Sequence, residues 1–184
     1  MLLVMAHPKQ IQAEEILLVA IKTLEENGAE ALSLRHLAQQ CGVKAPSLYR
    51  YYKDRAALEH AIVAAGSNAL RLALDKTRNA TSPQEHLEKF ASSYLHFARS
   101  RNALYRFMME QAPEPDTSEA GLALWKLVVS AVSAHTGRPD DTAAAVAFWA
   151  YLHGFASLEL SGRFGKSGPR GGFSRGLQAL LRTD

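Results

Sequence analysis

The sequence contains a single cysteine and no long apolar run, and these two features limit the classes of protein to which it can belong. One cysteine, Cys41, occurs in 184 residues, which excludes an internal disulfide and fits a reducing compartment. No stretch approaches the roughly 18 consecutive apolar residues that cross a membrane. The opening Met-Leu-Leu-Val-Met is too short for a signal-peptide core and has no positive charge before it. We therefore expect a cytoplasmic protein.

Signals for strands, metal sites and catalysis are also missing. No stretch alternates between apolar and polar residues for long enough to predict a strand, so the predicted class is all-α. The seven histidines show no paired spacing suited to zinc, and no Ser-His-Asp or paired-carboxylate arrangement stands out. Gly165-Lys166-Ser167 resembles the end of a phosphate-binding loop, but Leu160 occupies the place of the required glycine. The sequence thus predicts no enzyme activity, no metal and no cofactor.

The basic residues of the chain are unevenly distributed. The net charge is only +3, and 47% of the residues are apolar, which is enough for a substantial core. Five basic residues lie between Arg35 and Arg55, where Asp54 is the only acid. A local basic patch of this kind is enough to engage phosphates.

The stretch from Ser33 to Arg55 predicts two short helices joined by a tight turn. Ser33 is a good N-cap because its hydroxyl can accept a backbone N–H, and apolar residues recur at helical spacing after it. Gly42 falls where the first helix must stop, since glycine enters the left-handed region without a clash. The second helix is predicted to begin near Lys44, with Pro46 in its first turn. This arrangement is typical of a helix-turn-helix.

The outward side of the second predicted helix suits DNA. Lysine, arginine and serine side chains read base edges in the major groove, while lysine and tyrosine hold phosphates. Lys44 and Arg50 flank the exposed side and are the predicted base readers. The alternative is a structural hairpin with a solvated basic face. The predicted DNA-binding residues are Ser33, Arg35, Lys44, Ala45, Pro46, Ser47, Tyr49, Arg50, Tyr51, Lys53 and Arg55.

A larger set of residues between Gln12 and Ala65 matches a known pattern. It comprises Gly28, Leu32-Ser33-Leu34-Arg35, Leu37-Ala38, Gly42-Val43, Ser47-Leu48-Tyr49, Tyr52 and Leu58. This set resembles the DNA-binding domain of the tetracycline-repressor (TetR) family of bacterial transcription regulators. The resemblance implies that Ser33 caps a helix against phosphate and that Tyr49 contacts the DNA backbone. Arg55 stands where the family usually has a phosphate-binding lysine, and Lys44 replaces a common Ser or Thr cap.

Helical periodicity covers the rest of the chain. A first helix is predicted over about Pro8–Asn27, and a long fourth helix is predicted to begin after Asp54 and to continue towards Arg78. Further helices are predicted over about 84–100, around 104–108 with stops at Pro113 and Pro115, and over about 117–135, 140–160 and 173–182. We expect a three-helix helix-turn-helix domain over 1–55, a linking helix over about 54–78, and a helical effector-binding and dimerisation bundle over 79–184.

The segment 140–160 is apolar nearly all round, so both of its faces must be buried. Phe148, Leu152 and Phe155 share one face, which leaves the other for a second subunit or, alternatively, for the interior of a monomer. Trp149…His153-Gly154 resembles a signature of one ligand-binding class of the TetR family, whose domains pair through their last two long helices. The predicted dimer interface comprises Val146, Ala150, His153, Gly154, Ser157 and Leu160.

The aromatic and methionine side chains of the second half either fill the core or line a pocket between helices, and the sequence leaves both options open. By the resemblance, this half binds an effector that changes the spacing of two hairpins. We therefore expect a homodimeric repressor that binds double-stranded DNA and is released by a small molecule. The alternative is a helical carrier or enzyme that retains the hairpin as a structural relic. The candidate ligand-binding residues are Phe90, Tyr94, Phe107, Met108, Trp125 and Trp149.

Overall fold

The computed structural model describes residues 11–111, 117–165 and 168–182, and no strand occurs in these ranges, as predicted for an all-α chain. Short 3-10 turns occupy Ala29–Ala31 and Lys76–Arg78, and a π-helical turn occupies Phe107–Gln111. The predicted helix start at Pro8 and the stops at Pro113 and Pro115 lie outside the described residues. The α-helices are α1 (Ala13–Asn27), α2 (Leu34–Gln40), α3 (Ala45–Tyr49), α4 (Arg55–Asp75), α5 (Pro83–Ser100), α6 (Asn102–Arg106), α7 (Glu119–Thr136), α8 (Thr142–Leu160) and α9 (Gly172–Leu180).

Short polar side chains fix the starts of several helices. The Ser33 hydroxyl accepts the backbone N–H of His36 at 3.1 Å, and the Asp54 carboxylate accepts that of Ala57 at 2.8 Å. Such caps are typically worth about 1 kcal/mol, because they satisfy donors that the helix itself leaves free. The predicted cap at Ser33 and the predicted start of the fourth helix after Asp54 are confirmed. The same role is taken by Ser82, Ser118 and Asp141 at the starts of α5, α7 and α8.

The first three helices and the start of α4 enclose the N-terminal core. Ile16 of α1, Leu37 of α2 and Leu48 of α3 are fully buried there. The turn between α2 and α3 contains Gly42 at φ +68°, a left-handed conformation that glycine adopts without strain. The two short helices are therefore held by apolar contacts on their inner sides, and the predicted helix-turn-helix is present.

Helix α4 passes from this core into a second one. Leu58 and Ile62 are fully buried near its start, and Leu70 and Leu74 are fully buried near its end. Leu72 lies two residues from each of these, which is more than half a helical turn, and its side chain is 47% exposed. In the second half of the chain α4 packs most extensively against α7, and it also contacts α5.

Aromatic side chains dominate the second core. The ring of Phe90 on α5 lies 5.7 Å from that of Phe148 on α8, and the ring of Tyr94 meets that of Trp149 edge-on at 5.1 Å. The Tyr94 hydroxyl lies 3.0 Å from the Tyr105 hydroxyl, which in turn lies 2.8 Å from Nδ1 of His153. Burial, together with the Tyr105 phenol, raises the pKa of Tyr94 well above its ordinary value, so this phenol stays protonated.

Two ion pairs connect helices that are distant in sequence. The Arg99 guanidinium at the end of α5 donates two hydrogen bonds, each of 2.8 Å, to the Glu159 carboxylate on α8. Arg101, just before α6, pairs with Glu25 on α1. The second pair joins the hairpin unit to the helical bundle. Helix α6 likewise contacts both, since it packs against α1 and against α5.

The π-helical turn approaches α4 most closely at Gly66. A Cβ atom built on Gly66 would lie 2.3 Å from Sδ and 2.9 Å from Cγ of Met108, and 3.3 Å from Cδ1 of Leu104. Both Met108 and Leu104 are buried, so the Met108 side chain would have to shift within a packed core to make room for a methyl group. Glycine at this position lets the two segments touch.

We expect Gly66→Ala to lower the free energy of unfolding by about 1 kcal/mol, because overpacking of about 1–3 kcal/mol outweighs a helix-propensity gain of about 1 kcal/mol. In a Met108→Ala background the obstructing atoms are absent, so the same change should become neutral or stabilising. Urea denaturation of the four proteins at equal concentration measures this coupling. A stabilising Gly66→Ala in the otherwise unchanged chain would contradict the close contact.

Candidate nucleic-acid interface

The hairpin presents most of the predicted DNA-binding side chains to solvent. Leu48 is fully buried and anchors α3 from its inner side, so the opposite side of α3 faces outward. Tyr49, on that outer side, is 53% exposed. Ala45 and Ser47 are half-buried. The exposed members of the predicted set are Ser33, Arg35, Lys44, Pro46, Tyr49, Arg50, Tyr51, Lys53 and Arg55.

Helix α3 begins as the sequence predicts. Lys44 occupies the N-cap position in an extended conformation, with φ −79° and ψ 145°, and no side chain caps the helix. Pro46 lies in the first turn, where its missing N–H costs no hydrogen bond. The Lys44 side chain is therefore free of a capping role, and its charge lies at the exposed start of the helix.

Besides Ser33, which caps α2, two of the predicted DNA-binding residues bond groups that lie far away along the chain. The Tyr51 hydroxyl donates to the Ile11 carbonyl oxygen at 2.6 Å, which ties the end of α3 to the residues before α1. Arg55 donates from Nε to the Glu59 carboxylate at 2.6 Å and from Nη2 to the Ala29 carbonyl oxygen at 3.2 Å. The bonds to Ile11 and Ala29 were not predicted, because these residues lie far from Tyr51 and Arg55 along the chain.

A hydrogen-bonded chain behind α2 was also missed. The buried Thr23 hydroxyl of α1 lies 2.8 Å from the Val19 carbonyl oxygen and 2.8 Å from the Gln40 carboxamide. The same carboxamide lies 2.7 Å from Nε2 of His36, which is exposed on α2. No local sequence pattern signals this arrangement, because it depends on how α1 and α2 cross.

Helix α8 has one buried and one exposed apolar face. Phe148 and Leu152 are buried, as predicted, whereas Val146 is 53% exposed and Ala150 is also exposed. Gly154 and Ser157 are half-buried, and a Cβ atom built on Gly154 would meet no atom within 4 Å. The exposed face is defined here as the α8 strip, which comprises Ala143, Val146, Ala147, Ala150, Gly154, Ser157 and Leu158.

The α8 strip differs in part from the predicted dimer interface. His153 and Leu160 are half-buried and lie to one side of the strip, and Nδ1 of His153 is bonded to the Tyr105 hydroxyl. Ala143, Ala147 and Leu158 belong to the exposed face but were not predicted. Alanine-rich helices give a weak signal for which side faces the core, so the sequence alone did not separate the exposed side of α8 from the half-buried positions beside it.

The α8 strip carries no charged residue. Glu159 is the only Asp, Glu, Lys or Arg of α8, and Arg99 holds its carboxylate away from the strip. By length and composition alone α8 could cross a membrane, and 22% of its most apolar window is buried. Leu122 on α7, which packs against α8, adds a side chain that is 54% exposed.

The candidate ligand-binding residues fall into two groups, one in the core and one at an open cavity. Phe90, Tyr94, Phe107 and Met108 are buried, and Trp149 is half-buried against Tyr94. Trp125 instead lines an open cavity of about 650 Å³ beside Val129, Pro139 and the start of α8. A second cavity of about 450 Å³ lies between α5, α8 and the start of α9. Among the residues that the structure describes, no three His, Cys, Asp or Glu side chains are grouped to hold a metal ion.

Comparison with known proteins agrees with this geometry. Residues 16–62 match the model for bacterial regulatory proteins of the tetR family, and residues 87–180 match the tetracyclin repressor-like C-terminal domain. An uncharacterized HTH-type transcriptional regulator of Mycobacterium tuberculosis is 26% identical over 162 residues, which cover 85% of this chain and 74% of that protein.

Solved structures show the same fold. A protein from Rhodococcus sp. is 24% identical, with a TM-score of 0.77 and 98% of each chain covered. A substituted TetR of Acinetobacter baumannii in complex with minocycline is 20% identical, with a TM-score of 0.69 and coverage of 93% of this chain and 94% of that one. Since the two family models match both halves of the sequence, the chain belongs to the TetR family and is a DNA-binding transcriptional regulator.

Proposed function

We propose that this regulator is a cytoplasmic repressor that binds a pseudo-palindromic operator as a homodimer and is released by a small-molecule effector. The observation that carries the proposal is the uncharged α8 strip, in a chain whose hairpin leaves the outer side of α3 exposed. Two-fold pairing through the strip supplies two hairpins, and two hairpins suit two half-sites.

On DNA, α3 enters the major groove, with Lys44 and Arg50 towards base edges. The phosphate contacts come from side chains on either side of it, chiefly Ser33, Tyr49 and Arg55. Arg55 keeps donors for this role, because its contacts with Glu59 and Ala29 use two of the five N–H groups of a guanidinium. These contacts fix the register of the hairpin, and the base contacts then supply the sequence preference.

The effector acts from within the helical bundle. Its entry favours a state of the dimer in which the two hairpins have the wrong spacing, and differential binding to the two states lowers DNA affinity. The contact of Met108 with Gly66 supports this route, because it joins a residue of the bundle to the helix that carries the hairpin. The buried aromatic rings favour an apolar or amphipathic effector.

The two exposed tyrosines of the hairpin provide a matched test of the phosphate contacts. Tyr49→Phe should weaken binding to all duplexes by about 0.5–1.5 kcal/mol and leave stability unchanged, because its hydroxyl serves DNA. Tyr51→Phe should instead lower the free energy of unfolding by about 0.5–1.5 kcal/mol, because its hydroxyl bonds Ile11. Fluorescence anisotropy with labelled duplexes and urea denaturation separate the two effects. Wild-type affinity in Tyr49→Phe would remove this hydroxyl from the interface.

Base reading is tested with Lys44→Ala and Arg50→Ala. The variant that lacks a true base reader should lose about 1–3 kcal/mol of discrimination at particular base positions. Selection from a pool of random duplexes, followed by sequencing, gives the preference profile of each variant. If both variants retain the wild-type profile, the specificity lies elsewhere, and Arg35 is the next residue to replace.

Dimerisation is tested by placing a charge in the α8 strip. Ala150→Arg should give a folded monomer near the chain mass of 20.1 kDa, because the strip cannot bury an unpaired guanidinium twice across a two-fold axis. Ala179→Arg, at an exposed position on α9, is the matched control and should remain dimeric. Sedimentation analysis at micromolar concentration measures both. A wild-type protein that is already monomeric would contradict the dimer.

A further inference from the structure

Thr23, Gln40 and His36 form a series of three short contacts that their protons cannot all satisfy in every orientation of the Gln40 carboxamide. The Thr23 hydroxyl has one proton but lies 2.8 Å from two acceptors, the Val19 carbonyl oxygen and the Gln40 carboxamide oxygen. If the proton goes to Gln40, two oxygen atoms of Thr23 and Val19 face each other at 2.8 Å with no proton between them. That contact would be repulsive inside the protein, where Thr23 is only 1% exposed.

Rotating the Gln40 carboxamide by half a turn resolves this conflict. Thr23 then donates to Val19, the Gln40 amino group donates to the Thr23 oxygen, and the Gln40 oxygen faces Nε2 of His36. Each short contact now contains one proton. The arrangement requires a hydrogen on Nε2 of His36, so this nitrogen is a donor and Nδ1 is the ring nitrogen that can gain a proton.

This arrangement suits a positively charged imidazole. The carboxamide oxygen can accept from Nε2–H in the neutral and in the charged ring, so a hydrogen on Nδ1 disturbs none of the three contacts. These hydrogen bonds also hold the exposed His36 ring in place, since Gln40 is anchored to the buried Thr23 of α1. His36 can therefore present Nδ1–H to a partner without a large loss of side-chain entropy.

The position of His36 identifies the partner. The backbone N–H of His36 bonds the Ser33 hydroxyl at 3.1 Å, and Arg35 is its neighbour, so two residues of the proposed DNA surface adjoin it. In a helix-turn-helix the first helix crosses the sugar-phosphate backbone, and here that helix is α2. We infer that His36 is a further DNA contact, which Gln40 and Thr23 position, and which binds a phosphate oxygen through a protonated imidazole.

Two acidic side chains of α1, which packs against α2, pair with residues other than His36. On α1, Glu26 pairs with Lys22, and Glu25 pairs with Arg101. On the other side, α3 begins after Lys44 and ends at Arg50, and both of these side chains are cationic. Arg35 adds a third positive charge on α2 itself. A bound phosphate supplies the negative charge with which the imidazolium pairs in the complex.

The inference rests on the proposed placement of the hairpin on DNA, and it predicts a dependence on pH. Because the complex holds the His36 proton more tightly than the free protein does, affinity should rise as the pH falls. A phosphate contact does not depend on base sequence, so a duplex of about 30 base pairs of random sequence is a sufficient probe. The measurement is the dissociation constant at about pH 6 and at about pH 8 at one low salt concentration.

We expect wild-type affinity to be about threefold to tenfold higher at the lower pH, the range that one charged phosphate contact can supply. The ratio of the affinities at the two pH values should be close to one in His36→Gln. This variant should bind as tightly as the wild type at the higher pH. His60→Gln, which replaces an exposed histidine of α4, is the matched control and should retain the ratio. Gln40→Met removes the carboxamide at an exposed position and should reduce the ratio, because the ring is no longer held.

Different results would overturn different parts of the inference. A wild-type ratio in His36→Gln overturns the inference, as does an equal loss of affinity at both pH values, which would indicate a contact that needs no proton. If Gln40→Met keeps the wild-type ratio of affinities, Gln40 and Thr23 do not position His36. Failure of the wild-type protein to bind any duplex would instead overturn the proposed DNA interface, so the two failures are distinguishable.

Discussion

One helix must satisfy two hydrophobic cores, and the rest of the architecture depends on this constraint. The 21 residues of α4 bury Leu58 under the hairpin and Leu74 within the helical bundle, so the two parts share a rigid element. At Gly66, midway between them, the helix touches Met108 of the π-helical turn. Such turns interrupt regular helices and are frequent at functional sites. A rearrangement of that turn would push on α4 directly, and α4 carries the hairpin with it.

A second constraint arises at α8, because both of its faces are apolar and only one of them is buried in the chain. Its inner side fills the bundle core through Phe148 and Leu152, each worth about 1.5–3 kcal/mol when buried. Its outer side, the α8 strip, consists mainly of small residues and has open space at Gly154. Small residues allow two helices to approach closely. In the proposed dimer, the same helix would transmit a change in the bundle to the spacing of two chains, because one of its faces packs in the core and the other would form the subunit contact.

Local chemistry made the helices and the hairpin predictable, whereas contacts between distant segments were not. The cap residues Ser33 and Asp54 act within one turn of their own positions, so sequence alone was enough to place the starts of α2 and α4. The Tyr51 hydroxyl was predicted to face outward, but it reaches Ile11, 40 residues away. The α8 strip was only partly predicted, because alanines on all sides of the helix leave the choice of inner face to the packing of α5 and α7.

In the proposed dimer, two copies of the hairpin related by a two-fold axis read two half-sites on one face of the DNA. The decisive measurement is the arrangement of half-sites in duplexes that the wild-type protein selects from a random pool. We expect two inverted half-sites whose centres are separated by about 10 base pairs, or by a multiple of one helical turn. A single half-site, or two half-sites in direct repeat, would overturn the proposed two-fold arrangement.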